Sequence, residues 1–379
     1  MSQDFVRRLP DSGFVFKRAA GIGDKIHVDF ILLLLLASIS AYGLLVLYSA
    51  VYPDQSAVLS QLAKIGVATC VMLVVAQIPP VFFLRFAPWL YVIGVTLLIA
   101  VYFIGDEVNG SKRWLRIPGV IGFQPSEVMK LVLPMILAWY FHDRHLPPKK
   151  KHVFWAVVII LLPAALIVRQ PDLGTALIIC ASGVLLLLLA GISWRFVFGT
   201  LGVGVLSAPA IWFLLQDYQQ RRILTFLNPE RDPLGDGWNI IQSKTAIGSG
   251  GLSGKGLFEG TQSHLDFLPE SQTDFIIAVL AEELGFFGVV VLLIMYILLV
   301  GRGTMMAIQA QDTFGRLLAG TIIFTFFVYV FVNIGMVSGV LPVVGVPLPL
   351  VSSGGTSILT LFAGFGILMS IHTHRRIML

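Results

Sequence analysis

Charged residues are scarce in this chain of 379 residues: only 12% are Asp, Glu, Lys or Arg, whereas 56% are hydrophobic and the mean hydropathy is +0.87. A soluble domain needs more polar surface than this, so the composition excludes that class. Apolar runs of about 17 to 25 residues recur along the chain, each long enough to cross a hydrocarbon core of roughly 30 Å as a helix. The runs are continuous and do not alternate, which argues against a β-barrel. We therefore predict an all-α polytopic integral membrane protein.

Cysteine is almost absent, and no metal-ligand spacing occurs. Cys70 and Cys180 each lie inside an apolar run, where a small core side chain is expected and a disulfide is not. The chain contains no H-E-x-x-H or C-x-x-C string. A glycine-rich stretch at 248–256 fails the phosphate-loop pattern, because Ser249 stands at its first glycine and Gly256 follows Lys255 where Ser or Thr is required. We predict no organic cofactor and leave a divalent cation open.

The apolar runs predict about ten crossings: 28–49, 58–78, 86–104, 126–142, 153–169, 173–190, 194–215, 275–300, 317–340 and 352–372. Lys and Arg in short loops mark the cytoplasmic side of a membrane protein. The loops that contain Arg85, Lys149 and Arg302 lie on one side, together with the tails 1–27 and 373–379. Both termini are therefore predicted to be cytoplasmic, in a single domain spanning 1–379. Because the net charge of +5 largely follows from this topology, it does not indicate nucleic-acid binding.

Two predicted outer segments, 105–125 and the large loop 216–274, hold most of the polar sequence, and such loops commonly carry function. The first contains Lys112, Arg113 and Arg116, against the usual bias of bases toward the cytoplasm. An anionic ligand would explain them. Alternatively, they reach toward lipid headgroups with Trp114 in the aromatic belt.

Ionisable residues stand at several predicted helix starts. Glu127 and Lys130 are three residues apart in the first turns of a crossing, so they share a face and are expected to pair. The pair either lines a cavity or ties helices together. Asp172, in the string RQPDLGT, is either a helix cap or a functional acid.

The end of the large loop runs directly into the eighth crossing, as LPESQTDFIIAVLAEELG. Asp274 lies at this membrane boundary. Ser271 and Asp274 have the S-x-x-D spacing of a capping box, so Asp274 either stabilises the helix start or acts as a functional acid. Glu282 and Glu283 lie deeper in the crossing and are expected to need partners.

Several strings together resemble one family: NGSKRWL, QPSEVMK, QPDLGTA, NIIQSKTAIGSGGLSGKG, LPESQTDFIIAVLAEELG and NIGMVSGVLPVVGVPLPLVSSGGTS. They are similar to the SEDS family of bacterial cell-wall proteins (shape, elongation, division and sporulation). The resemblance covers nearly the whole chain and is strongest from residue 220 onward. GTQSHLDFLPE and the short C-terminal tail are typical of its elongation branch. Gln272 and Ser353 depart from the family, which often has His and Tyr at these positions.

The resemblance implies a peptidoglycan glycosyltransferase of the bacterial cytoplasmic membrane that polymerises lipid II at the outer face. The family's catalytic aspartate falls on Asp274, which would act as general base for the acceptor hydroxyl. Inversion at the donor anomeric carbon would release a lipid pyrophosphate, stabilised by cations. The candidate substrate-binding or cavity residues are Trp114, Arg113, Lys112, Glu127, Lys130, Asp172, Lys255 and Glu270.

The resemblance also implies partners: a class B penicillin-binding protein that cross-links the product, other membrane proteins of the elongation complex, lipid II with nascent glycan, and membrane lipid. The small residues around 335–345 predict a contact surface for the transpeptidase. Two other functions stay open. Interior acids, with prolines such as Pro134, Pro163 and Pro209 that could break crossings, would suit a transporter or lipid II flippase. A non-catalytic scaffold for cell-wall synthases is the other alternative.

Overall fold

A computed structural model describes residues 26–53, 55–108, 111–115, 122–213, 217–231, 236–264 and 271–374. The long helices of these ranges are α1 (Phe30–Ala50), α2 (Ser56–Ala76), α3 (Pro80–Ile104), α4 (Pro125–His142), α5 (Lys150–Val168), α6 (Leu173–Leu189), α7 (Trp194–Trp212), α11 (Ile276–Ile308), α12 (Thr313–Val337) and α13 (Thr356–Thr373). Between α7 and α11 lie α8 (Asp217–Leu227), a 3₁₀ turn (Pro229–Arg231), α9 (Asp236–Gly250) and α10 (Thr261–His264).

Each of the ten predicted crossings corresponds to one long helix in the described part of the chain. Seven of these helices, α1, α2, α3, α5, α11, α12 and α13, are long and apolar enough to cross a membrane, and α6 is a shorter apolar helix. The all-α polytopic membrane class is therefore confirmed. Some predicted ends were wrong: α3 begins at Pro80, where a proline suits the first helical position, and α11 continues to Ile308.

The predicted loop 105–125 contains a short hairpin that the sequence analysis did not anticipate. Strand β1 (Asp106–Val108) pairs antiparallel with β2 (Ser111–Trp114). The hairpin places Arg113 and Trp114 against the end of the helical bundle where α4, α6 and α13 begin. We call this end the loop end.

Aspartate caps start several helices, because a side-chain carboxylate can accept a hydrogen bond from an otherwise unpaired N–H of the first turn. At the start of α1, Asp29 accepts from Leu32 N at 2.8 Å and is also paired with Arg302. Burial on its own would raise the pKa of Asp29, but the hydrogen bonds from Arg302 and Leu32 outweigh it and hold the pKa below its ordinary value. At the start of α12, Asp312 accepts from Gly315 N at 3.2 Å.

Helices α12 and α13 form the centre of the bundle. In their most apolar stretches 67% and 61% of the residues are buried, against 17% in α2 and 22% in α3. The main packing partners are α13 with α2, α3 with α4, α11 with α9 and α12, and α12 with α6. The exposed apolar side chains of α2 and α3 are suited to contact with lipid.

Helix α11 is interrupted at Gly285, where φ is 66° and ψ is −165°, a conformation that suits glycine. The interruption takes backbone groups away from their helical partners, and buried groups of this kind require replacements. The turn at 251–256 supplies partners for four hydrogen bonds. It donates two, from Lys255 N to Glu282 O and from Gly256 N to Glu283 O, both at 3.0 Å. It accepts two, from Phe286 N at Gly251 O at 3.0 Å and from Phe287 N at Leu252 O at 3.1 Å. The glycine-rich stretch is thus bound to α11 through its backbone.

The prolines do not break the crossings, and the predicted partner surface at 335–345 stays a prediction. Helices α4, α5 and α7 continue through Pro134, Pro163 and Pro209. Glycines of the 335–345 segment, predicted as a partner surface, contact the chain itself: a Cβ on Gly335 would lie 2.7 Å from Leu341, and one on Gly339 would lie 2.2 Å from Lys244. The space that glycine leaves there is already filled from within the chain.

Candidate active site

A polar cavity of about 170 Å³ opens at the loop end of the bundle. Its walls come from the hairpin, the starts of α4, α6 and α13, and the segment between α12 and α13. The lining residues are Arg113, Trp114, Gln124, Glu127, Lys130, Asp172, Thr175, Ile178, Gly345, Val346, Pro347, Gly355, Thr356 and Ser357. The fold therefore brings together five of the candidate residues: Arg113, Trp114, Glu127, Lys130 and Asp172.

Glu127 and Lys130 form a buried ion pair in the first turns of α4, as their spacing predicted. Lys130 Nζ lies 2.6 Å from Glu127 Oε1, and the two side chains are 10% and 8% exposed. Thr360 Oγ1 donates to the other carboxylate oxygen of Glu127 at 3.1 Å. Lys130 Nζ also lies 5.1 Å from the centroid of the Tyr329 ring. The pair lines the cavity and also ties α4 to α12 and α13. The geometry therefore fits both interpretations that the sequence left open, a cavity-lining pair and a pair that ties helices together.

Asp172 is the N-cap of α6 and also a cavity residue. It accepts from Thr175 N at 3.1 Å with one oxygen and from Gln124 Nε2 at 2.9 Å with the other, and it is 7% exposed. The capping interpretation is therefore confirmed. The bond from Gln124 joins the start of α4 to the start of α6 across the cavity.

Arg113 fixes the hairpin to the connection between α5 and α6. Its guanidinium donates to the backbone oxygens of Gln170, at 3.1 Å from Nε, and of Pro171. A guanidinium has more N–H donors than these two bonds use, so Arg113 can still present positive charge to an anion in the cavity. Lys112 on the same strand is exposed and does not contribute to the cavity lining.

Asp274 lies in a turn, 271–275, immediately before α11. The capping-box interpretation was wrong, because α11 begins at Ile276 and its N-cap is Phe275, with no side-chain capping bond. The carboxylate lies beside Gly345, a cavity-lining residue, because a Cβ built on Gly345 would lie 3.4 Å from Asp274 Oδ2, but Asp274 itself is not part of the cavity lining. Gly345 has a φ of 70°, so a larger residue there would be strained.

Lys255 lies away from the cavity lining. Its Nζ is 2.7 Å from Glu282 Oε1 on α11, and it also donates to Thr261 Oγ1 at 2.8 Å. Glu282 is fully buried and accepts from the backbone N–H groups of Thr261 and Gln262 as well, at 2.8 and 3.1 Å. The expectation that Glu282 needs partners is confirmed, and one of them is a residue predicted to bind substrate. Glu270 lies outside the described residues.

A second, mostly apolar space of about 40 Å³ lies next to the polar cavity, between helices of the bundle. Glu127, Lys130 and Ser357 line both spaces. The remaining walls are side chains of α4, α12 and α13: Leu131, Ile322, Thr325, Phe326, Tyr329, Thr360, Leu361, Gly364 and Phe365. A polar compartment thus adjoins an apolar one at the ion pair.

Several residues of the site were missed by the sequence analysis. Gln124 and Thr360 are ordinary polar residues near helix starts, and only their contacts mark them. Asn333 is different, because a lone amide in an apolar run is a recognisable signal of a buried polar contact. Among the described residues, no group of three or more His, Cys, Asp or Glu side chains is placed to hold a metal ion.

The family model for FtsW, RodA and SpoVE proteins, described as "Cell cycle protein", matches residues 29–377. The chain belongs to this family. The resemblance inferred from the sequence motifs is therefore confirmed over nearly the full length.

Individual members of the family are similar over most of their length. Peptidoglycan glycosyltransferase MrdB of Escherichia coli strain K12 is 49% identical over 356 residues, covering 94% of this chain and 96% of the relative. A chain from a structure on the coordination of polymerization and crosslinking by a peptidoglycan synthase complex is 30% identical, with a TM-score of 0.81, covering 92% of this chain and 99% of that one. The rod shape determining protein RodA of Thermus thermophilus is 28% identical, with a TM-score of 0.70, covering 92% and 98%.

Proposed function

We propose that this protein is a peptidoglycan glycosyltransferase that joins lipid II into glycan strands, with Asp274 as general base. The observation that carries the proposal is the position of the Asp274 carboxylate next to Gly345, a residue in the wall of a polar cavity. A sugar hydroxyl is a poor nucleophile until a carboxylate accepts its proton. Asp274 would deprotonate the 4-hydroxyl of the acceptor, which then attacks the anomeric carbon of the donor with inversion.

The leaving group in this mechanism is a lipid pyrophosphate, whose developing charge needs positive partners. Lys130 and Arg113 supply positive charge to the cavity wall. A divalent cation, which this chemistry could also use, would enter as part of the pyrophosphate-bound substrate. A pyrophosphate needs little protonation to leave, so a second carboxylic acid is not required in the reaction.

The adjoining apolar space supports a lipid-linked substrate by its apolar walls and its place beside the ion pair, although at about 40 Å³ it cannot hold a whole lipid chain. A polyprenyl chain needs an apolar surface, while its pyrophosphate and sugars need a polar one, and the two spaces meet at Glu127 and Lys130. In this proposal the loop end faces the outside of the cytoplasmic membrane, both termini are cytoplasmic, and 1–379 forms one domain. A single cysteine at Gln272, exposed in the turn before α11, in a chain without Cys70 and Cys180, should react with an impermeant maleimide from outside intact cells. Reaction only after permeabilisation would reverse the orientation.

The proposal includes a partner, a class B penicillin-binding protein, because a polymerase alone leaves its strands uncrosslinked. The similar chain from a peptidoglycan synthase complex, in which polymerization and crosslinking are coordinated, supports this assembly. The contact surface predicted at 335–345 stays a prediction, although Gly335 and Gly339 contact the chain itself.

Reconstitution with lipid II tests the function directly. The full chain in vesicles, with and without the transpeptidase, should form glycan polymer from purified lipid II. Movement of labelled lipid II across the bilayer without polymer would instead support a flippase, and neither activity would support a scaffold. The continuous α4, α5 and α7 offer no support for a transporter built on helices broken at proline.

A further inference from the structure

Three consecutive backbone oxygens of the Asp274 turn are held by donors from elsewhere in the chain. Gln272 O accepts from Ser353 N at 2.9 Å. Thr273 O accepts from the Ser352 hydroxyl, and Asp274 O accepts from Asn333 Nδ2 at 2.9 Å. Because the turn precedes the first helical residue of α11, regular helical hydrogen bonding does not fix it. These contacts supply the restraint instead.

Asn333 joins the Asp274 turn to the cavity wall. Its side chain lies within α12 and is fully buried, and Nδ2 also donates to Val346 O at 2.7 Å. Val346 follows Gly345, the cavity-wall residue beside which the Asp274 carboxylate lies. Both amide hydrogens of Asn333 are therefore used to hold the two chain segments that meet at the carboxylate.

Ser352 belongs to a segment that is itself anchored. Its hydroxyl accepts from Leu348 N at 2.8 Å, and its backbone oxygen accepts from the buried Gln61 of α2 at 3.1 Å. In the same segment, Pro349 O accepts from Tyr296 OH of α11 at 2.6 Å. The segment that contains two of the donors, Ser352 and Ser353, is thus held in place by α2 and α11.

We infer that Asn333 and Ser352 are positioning residues that set the Asp274 carboxylate against the cavity, an inference that rests on the proposed role of Asp274. Neither side chain lines the cavity, so each acts through the backbone of the turn. A displacement of about 1 Å in a reacting group can lower a rate by roughly a hundredfold. Removing either donor should therefore reduce the turnover of bound substrate more than its binding.

The chain offers matched controls for both residues. Ser370 is also a buried serine whose hydroxyl donates to a distant backbone oxygen, that of Ile78, far from the Asp274 turn. Thr321 lies on the same helix as Asn333, is also fully buried, and donates only within that helix, to Leu317 O at 2.7 Å. Neither control residue lines the cavity.

The test uses the full chain reconstituted with its transpeptidase partner, with purified lipid II as substrate. Ser352→Ala and Asn333→Leu should lower kcat by about tenfold to a hundredfold while KM for lipid II changes by about twofold or less. Ser370→Ala and Thr321→Val should retain kcat within about twofold at the same folded fraction, measured by thermal unfolding in detergent. Ser352→Thr keeps the hydroxyl and should recover most of the loss.

Two outcomes would overturn the inference: unchanged kcat in folded Ser352→Ala protein, or an equal loss of kcat in the Ser370→Ala control. For Asn333→Leu, kcat is calculated per folded protein. If Asn333→Leu does not fold, Ser352→Ala still decides the test. An Asp274→Asn variant separates this failure from that of the proposed function. If Asp274→Asn is inactive while Ser352→Ala is fully active, the positioning role alone is wrong. If Asp274→Asn is active, the general base is wrong.

Discussion

The turns before α6 and α11 each carry an aspartate for which the sequence leaves a helix cap or a functional acid open, yet only one of them caps its helix. Asp172 accepts from the third residue of its own helix, Thr175. Asp274 precedes the N-cap, and its backbone oxygen is held by Asn333 of α12. The first carboxylate stabilises its helix and reaches the cavity as well. The second is placed against the cavity by contacts from other parts of the chain, so similar local patterns lead to different roles.

The largest difference between the two turns is expected on replacing each acid by its amide. Asp274→Asn keeps the size of the side chain but removes the proton acceptor, so lipid II polymerisation should fall at least about a hundredfold. Asp172→Asn retains an oxygen for Thr175 N and should lose far less. Polymer formation at equal folded protein measures both. Near-normal polymerisation by Asp274→Asn would remove Asp274 as the base.

A smaller but still large effect is expected at the ion pair that lines the same cavity. Lys130→Met leaves the buried Glu127 without its cation and should destabilise the protein by about 3–5 kcal/mol. The double variant Glu127→Gln with Lys130→Met removes both charges and should recover most of that stability. Polymerisation should stay about tenfold or more below wild type in both variants, because the positive charge facing the pyrophosphate is gone. Full activity of the folded double variant would limit the pair to a structural role.

A moderate effect is expected when the cap itself is removed. Asp172→Ala and Asp312→Ala each delete an N-cap and should each lower the free energy of unfolding by roughly 1 kcal/mol. Only Asp172 also accepts a hydrogen bond from Gln124 across the cavity. Only the Asp172 variant should therefore slow polymerisation, by about tenfold or less. Equal activity losses in the two variants would show that capping alone accounts for Asp172.

The smallest effect on polymerisation is expected for Lys255→Met. Lys255 is bound to Glu282 and Thr261, and its removal should lower the free energy of unfolding by about 1–3 kcal/mol. The KM for lipid II should change by about twofold or less in folded protein. A large rise in KM would instead restore Lys255 as a substrate-binding residue, as the sequence analysis proposed.

The sequence predicted the parts of this site that depend on neighbours along the chain. The pairing of Glu127 with Lys130 follows from a spacing of three residues, and the capping by Asp172 from its place before an apolar helix. The contact of Lys255 with Glu282 was not predicted, because the two residues are 27 positions apart in the sequence. Asn333 was overlooked although its amide stands in an apolar run, since nothing local indicates that it contacts Asp274, 59 residues earlier.

The membrane class and the order of the ten helices were determined by the sequence alone, because a bilayer requires apolar runs long enough to span it and allows the backbone few alternatives to helix. Only the tertiary structure decided that Asp274 does not cap α11, that Lys255 pairs with Glu282, and where the cavity opens. Those outcomes depend on donors and acceptors far apart along the chain, such as Thr360 and Glu127, separated by 233 residues. Such groups become neighbours only when α4, α12 and α13 pack together. A sequence pattern does not show which residues far apart along the chain are close in space.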